Sequence, residues 1–99
     1  MEQVSKNESK TKIRLAEPEI FKVILLNDDY TTQEFVVSVL ISVFHKPVKE
    51  AESIMLSVHN SGRATVGLYS LDIAQTYVEQ VHSLAQSRGF PLRCFLEKQ

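Results

Sequence analysis

The sequence predicts an α+β fold in which a three-stranded antiparallel sheet is covered by three helices, in the order β-α-α-β-α-β. Three observations support this prediction. The run 20–26 is almost continuously apolar, three segments have apolar residues every three or four positions, and two later segments alternate apolar and polar residues. The 99 residues correspond to one domain.

The first strand and first helix are predicted from 20–26 and the residues that follow. A polar break at 27–29 has the composition of a turn. Thr31 and Glu34 then have the spacing of a capping box, which predicts the start of a helix at Thr31. Its apolar stripe runs over 35–44, so this helix is expected to lie deep in the core and to stop near residue 45.

A second helix is predicted to begin at Pro47, because proline suits the first helical position. A break at 60–62, which contains a glycine, is expected to end it. Its apolar positions recur every three or four residues and are Val48, Ala51, Met55 and Val58.

The last half of the chain predicts strand, helix, strand. Ser70 is placed to cap a third helix, whose apolar face begins at Ile73, and Gly89 is placed to end it. The core-facing positions predicted for the two strands are Ala64, Val66 and Leu68, and then Leu92, Cys94 and Leu96.

Charge and hydropathy exclude several classes of partner. Eleven Lys and Arg residues against twelve Asp and Glu residues give no cationic excess for nucleic acid or an anionic membrane. The longest apolar run, 35–44, is too short to span a bilayer.

Residues 1–19 are polar and mixed in charge, so they predict a flexible arm before a core domain at 20–99 and no targeting signal. We therefore expect a cytoplasmic protein, and its single cysteine fits a reducing compartment.

The candidate chemical groups are the carboxylates of Asp28 and Asp29, which follow Asn27, and the imidazole of His59, and a structural role is the first interpretation of each. Turn carboxylates are most often structural, and a histidine at the end of an apolar helix face is often a hydrogen-bonded residue or a partner of the helix dipole. Too few ligands are present for a metal ion, and neither a phosphate loop nor a nucleophile motif occurs, so we predict no cofactor and no enzyme activity. Cys94 is predicted to be buried, and His45 and His82 to be solvated.

Five motifs in the same order resemble those of the ClpS family, the bacterial adaptors that hand substrates to the AAA+ unfoldase of the Clp protease. The resemblance covers residues 20–99. Its motifs are FKVILLNDDYT at 21–31, EFV at 34–36, MLSVH at 55–59, PL at 91–92 and LEK at 96–98.

The resemblance implies a pocket for the first residue of a substrate with an N-degron, an N-terminal Leu, Phe, Tyr or Trp. Asn27, Asp28 and His59 would hold the free α-amino group; their oxygens and an unprotonated imidazole are suitable acceptors for an ammonium. Gln33 stands where many family members have a methionine that screens out β-branched residues, and Thr32 replaces a frequent proline. The residues implied for the side-chain cavity are Asp29, Thr31, Gln33, Val36, Met55, Val58 and Leu92.

The resemblance also implies a protein partner, the N-terminal domain of a Clp AAA+ unfoldase. In the family a charged patch partly on the third helix docks to the unfoldase. Here that patch offers Asp72, with Tyr77 at a position that is lysine in a well-known member. The arm at 1–19 would take part in substrate delivery, and the chain would act as a monomer.

Two alternatives come from other functional classes. The β-α-α-β-α-β order also resembles the C-terminal domain of the ribosomal stalk protein, but the third helix lacks the cationic face expected of that domain. A small hydrolase using Asp28, Asp29 and His59 would lack a credible nucleophile.

Overall fold

The computed structural model describes residues 18–99, and its six elements follow the predicted order. The strands form one antiparallel sheet in the order β2-β1-β3. The predicted fold class is therefore confirmed. The strands are β1 (Ile20–Leu26), β2 (Arg63–Ser70) and β3 (Arg93–Lys98), and the helices are α1 (Gln33–Ser42), α2 (Val48–Ser61) and α3 (Leu71–Arg88).

The central strand β1 is buried on both faces, as its continuous apolar run predicts. Val23 and Leu25 are fully buried in the core cluster, to which all three helices contribute residues. Ile24 points to the opposite face and is only 2 % exposed, with Thr65 and Phe95 as its neighbours across the two flanking strands. With these three buried aliphatic side chains, β1 contributes more buried apolar surface than either flanking strand.

A bulge in β2 overturns the predicted alternation of that strand. Val23 is opposite Gly67 but Ile24 is opposite Thr65, so one additional residue of β2 is accommodated between them. Beyond the bulge the faces exchange: Leu68, predicted to face the core, is 50 % exposed, whereas Tyr69 packs against the core cluster. One extra residue reverses the side of every later residue, because side chains alternate with a period of two.

The first helix begins one residue later and ends earlier than predicted. Thr32, not Thr31, is its N-cap, and its hydroxyl oxygen accepts a hydrogen bond of 3.1 Å from the amide of Phe35. The capping-box prediction was wrong because Thr31 is engaged in the preceding turn. The helix ends at Ser42, and the chain reverses through His45, which has a positive φ of 58°.

Two apolar positions predicted for helix faces are exposed. Val48 is 57 % and Ile73 is 49 % exposed, and each lies in the first turn of its helix. Burial begins later, at Ala51 in α2 and Ala74 in α3, both 0 % exposed. A helical repeat therefore locates the buried stripe correctly but does not show where the helix first meets the core.

His82 was predicted to be solvated, and this prediction was wrong. The side chain is half-buried, and its Nε2 accepts a hydrogen bond of 3.1 Å from the amide of Cys94 on β3. The available signal was its spacing, four residues after Val78, at the edge of the apolar stripe. Cys94 is buried as predicted, and burial raises the pKa of its thiol to about 12.

We expect the stability of this fold to decrease in mild acid because of His82. Burial, reinforced by the nearby Arg93 guanidinium, lowers the pKa of His82, and its accepting Nε2 has to be unprotonated. As the pH falls, the imidazole of the unfolded chain is therefore protonated at a higher pH than that of the folded chain. The stabilisation is complete above about pH 6.5 and is lost as the pH falls from there through the lower folded-state pKa. Urea unfolding between about pH 5 and 8 measures this loss.

A His82→Gln variant should have a flatter profile over that range, because the glutamine side chain can accept from the same amide without titrating. His45→Asn is the matched control: His45 is exposed, and asparagine tolerates its positive φ. Equal pH slopes for the wild-type chain and His82→Gln would contradict the assignment.

The predicted arm at 1–19 lies outside the described residues except for Pro18 and Glu19. The Glu19 carboxylate lies 2.8 Å from the Lys98 ammonium, and the Gln99 amide donates to the Ile20 carbonyl. The start of β1 is thus joined to the end of β3. Among the helices within residues 18–99, none combines the length and apolar character needed to cross a membrane.

Candidate functional site

A recess of about 230 Å³ opens between the loop after β1, the start of α1 and the second half of α2. It contains nine of the ten pocket residues that the sequence predicted. The lining residues are Asn27, Asp28, Asp29, Thr31, Gln33, Val36, Met55, Val58 and His59.

Asp28 organises the loop at the mouth of the recess. One carboxylate oxygen accepts from the amides of Tyr30 and Thr31, at 2.8 and 2.7 Å. The other accepts from the Thr31 hydroxyl, at 2.7 Å. The loop between β1 and α1 is therefore fixed by one side chain, which also explains why Thr31 does not cap the helix.

The same hydrogen bonds hold Asp28 in its charged form. Burial raises the pKa of this carboxyl, but hydrogen bonds from the Thr31 amide and hydroxyl and the Tyr30 amide together outweigh burial, so its pKa lies below the usual value. Asp28 is consequently an anion at neutral pH, and it faces a recess with no basic side chain except the imidazole of His59.

A backbone contact brings Asn27 and His59 to the same opening. Gly62 ends α2 in the left-handed conformation, with a φ of 89°. Its carbonyl accepts a 2.9 Å hydrogen bond from the backbone N–H of Asn27. His59 lies in the last turn of α2, just before this junction, and its side chain is exposed. The end of β1 is thereby placed beside the end of α2, although more than thirty residues separate them in sequence.

The inner wall of the recess is apolar. Val36 from α1 and Val58 from α2 are buried, and Met55 is half-buried one turn before Val58. Oxygen and nitrogen acceptors therefore surround the mouth, and aliphatic side chains form the wall. This arrangement suits a cation that carries a bulky apolar substituent.

Leu92 is the predicted pocket residue that does not line this recess. It is 2 % exposed, and it borders a separate surface depression together with Phe90, Pro91 and His82. Its position just before β3 places it in the core cluster. The same cluster contains Val36 and Val58, which do line the recess.

The two predicted docking residues on α3 differ in exposure. Asp72 is exposed in the first turn. Tyr77 is half-buried, and its ring packs against Phe44 and Tyr69, with centroid distances of 4.9 Å in both cases. Tyr77 therefore has a packing role that a lysine at this position could not reproduce.

Residues 18–99 do not place three or more His, Cys, Asp or Glu side chains where they could hold a metal ion together. The recess itself contains two carboxylates and one imidazole but no serine or cysteine nucleophile. What the recess offers is a set of oxygen and nitrogen acceptors beside an apolar wall.

Comparison with known proteins identifies the family. The family model described as ATP-dependent Clp protease adaptor protein ClpS matches residues 16–95. The chain belongs to the ClpS family. This assignment favours the adaptor resemblance over the ribosomal stalk domain.

Two relatives named ATP-dependent Clp protease adapter protein ClpS cover most of the chain. The protein of Desulfatibacillum aliphaticivorans is 58 % identical over 80 residues, which are 81 % of this chain and 77 % of that protein. The protein of Wolinella succinogenes is 54 % identical over 91 residues, 92 % of this chain and 89 % of that protein.

A solved structure is similar in fold and sequence. Agrobacterium tumefaciens ClpS2, bound to L-phenylalaninamide, aligns with a TM-score of 0.81 at 38 % identity. The alignment covers 84 % of this chain and all of the ClpS2 chain.

Proposed function

We propose that this ClpS-family chain binds proteins that begin with Leu, Phe, Tyr or Trp and delivers them to a Clp AAA+ unfoldase and its peptidase for degradation. The observation that supports this most directly is the recess in which Asn27, Asp28 and His59 share one opening with the apolar wall of Val36 and Val58. An exposed chain start is a ligand that offers both an ammonium and an adjacent side chain.

The ligand of the similar ClpS2 structure fits the same description. L-phenylalaninamide has a free α-amine next to a benzyl side chain, and its amide replaces the next peptide bond. In this chain the benzyl group would pack against the apolar wall of the recess, and the amine would lie among the acceptors at the mouth.

The energetics are sufficient for a specific adaptor. Burial of a Leu or Phe side chain contributes about 1.5 to 3 kcal/mol. Each hydrogen bond to the charged amine contributes a similar amount, about 1.5 to 3 kcal/mol. After the costs of association and ordering, micromolar or tighter binding is the expected range.

The adaptor acts by binding alone, without catalysis and without a cofactor. It functions as a monomer in the cytoplasm, and the N-terminal domain of the unfoldase is its partner. The exposed Asp72 is the charged contact for that domain, and Tyr77 shapes the surface from beneath through its packing with Phe44 and Tyr69.

A peptide series tests the proposal. Fluorescent peptides that differ only at residue one, each free and N-acetylated, are titrated with the full chain and followed by anisotropy. We expect binding of free Leu, Phe, Tyr and Trp peptides and none of their acetylated forms. Equal affinity for all first residues would refute the proposal. Gln33, at the edge of the recess, should set how strongly β-branched residues are rejected.

A further inference from the structure

A second groove adjoins the recess. It lies between α1 and α2, encloses about 480 Å³, and shares Gln33 and Met55 with the recess. The other residues that line it are Glu34, Val37, Glu52 and Leu56. A chain that leaves the recess past Gln33 would therefore enter this groove directly.

The groove combines an apolar strip with negative charge. Val37 and Met55 are half-buried and Leu56 is 49 % exposed. Glu34 and Glu52 flank them, and no basic side chain lines the groove. Within residues 18–99, the salt bridges involve other carboxylates, so neither of these two glutamates is neutralised by a partner from that part of the chain.

Lys and Arg side chains match this combination, because each has an aliphatic stem that covers apolar surface and a cationic end that seeks carboxylates. An acidic side chain would face like charges, and a small polar one would leave Leu56 uncovered. The charge and the continuity with the recess therefore point to one occupant.

We propose that this groove binds a Lys or Arg side chain located shortly after the N-terminal residue of the same substrate. The proposal rests on the proposed function, since the first residue has to occupy the recess. An extended chain advances at most about 3.3 to 3.6 Å per residue, so the residues at positions two to four are the candidates.

Peptides of identical composition test it. Each begins with Leu and contains a single Lys at position two, three, four or eight, the rest being Ala, Ser and Gly, so that net charge is constant. At low ionic strength we expect one of the three early positions to bind about three- to tenfold more tightly than position eight, the range of one or two exposed ion pairs. Replacement of that Lys by diaminopropionate, which shortens the stem, should remove most of the gain.

The variants are Glu34→Gln and Glu52→Gln, singly and combined, and the control is Glu79→Gln, which matches each single variant in net charge. The combined variant Glu34→Gln/Glu52→Gln should abolish the positional gain while leaving the position-eight peptide bound. Glu79 is an exposed acid on α3, outside the groove, so its variant removes charge elsewhere and should leave the gain intact. Thermal unfolding checks the folding of the double variant, because Glu34 lies in the first turn of α1.

If the wild-type chain bound the peptides with equal affinity at every Lys position, the proposed role of the groove would be overturned. A gain reduced equally by Glu79→Gln would also overturn it, because the effect would then arise from the overall charge of the protein. If no free Leu peptide binds, including the position-eight peptide, the proposed function itself fails, so the two failures are distinguishable.

Discussion

An Asn27→Ala/His59→Ala variant will bind a Leu-initiated peptide at least about 100-fold more weakly than the wild-type chain, the effect of two lost hydrogen bonds to a charged amine. Both side chains line the mouth of the recess, and their removal leaves the apolar wall intact. Both are also exposed, so we expect little change in the free energy of unfolding. Fluorescence anisotropy and urea unfolding measure the two quantities.

Asn60→Ala is the control for this variant. Asn60 follows His59 at the end of α2 and is exposed, but it does not line the recess. N-acetylation of the peptide gives a second comparison: it should abolish wild-type binding, whereas the residual binding of the double variant should change much less. A variant that still discriminates fully between free and acetylated peptides would show that other groups hold the amine.

Asp28→Ala will weaken the same binding by about tenfold to 100-fold, and Asp28→Asn by less. Alanine removes the acceptor of the Tyr30 and Thr31 amides, so the loop that carries Asn27 loses its fixed shape. Asparagine keeps one oxygen for those amides, and its NH₂ group can donate to the Thr31 hydroxyl oxygen where the carboxylate accepted from that hydroxyl, so the loop contacts are largely kept while the charge is lost. The ratio of the two losses separates the geometric part of the role of Asp28 from the electrostatic part.

The stability effect of Asp28→Asn should depend on pH in a defined direction. The pKa of Asp28 is lowered in the fold, so its charged form stabilises the protein above the unfolded pKa of about 3.9, and this contribution is lost as the pH falls through the folded-state pKa. The difference in unfolding free energy between wild type and variant should be constant from about pH 5 to 7 and should disappear in stronger acid. A difference that persists in strong acid would contradict this.

The site illustrates which parts of a sequence are informative. The residues that line the recess were predicted from a resemblance between motifs, whereas composition and spacing alone left Asp28 and His59 as structural candidates. Periodicity does not report contacts across the chain, and the hydrogen bond from Asn27 to Gly62 that joins the two halves of the mouth is such a contact.

Leu92 and Tyr77 show what a resemblance between motifs does not predict, namely the exposure of a side chain. A family position implies a role, but exposure depends on the neighbouring side chains. Leu92 is buried beneath the surface, and Tyr77 is held by Phe44 and Tyr69. The aromatic contact depends on Tyr69 facing inward, and that orientation results from a bulge for which the alternating pattern of β2 has no signal.

The amino-acid pattern alone determined the order of the six elements, the doubly buried β1 and the glycine ends of α2 and α3, because these depend on local periodicity and on backbone conformations that few residues adopt. The tertiary structure decided the cap of α1, the inward side of β2, the acceptor role of His82 and the groove beside the recess. Each of these results from packing or hydrogen bonding between segments distant in sequence or from competition for one hydroxyl group, and neither leaves a periodic signal in the chain.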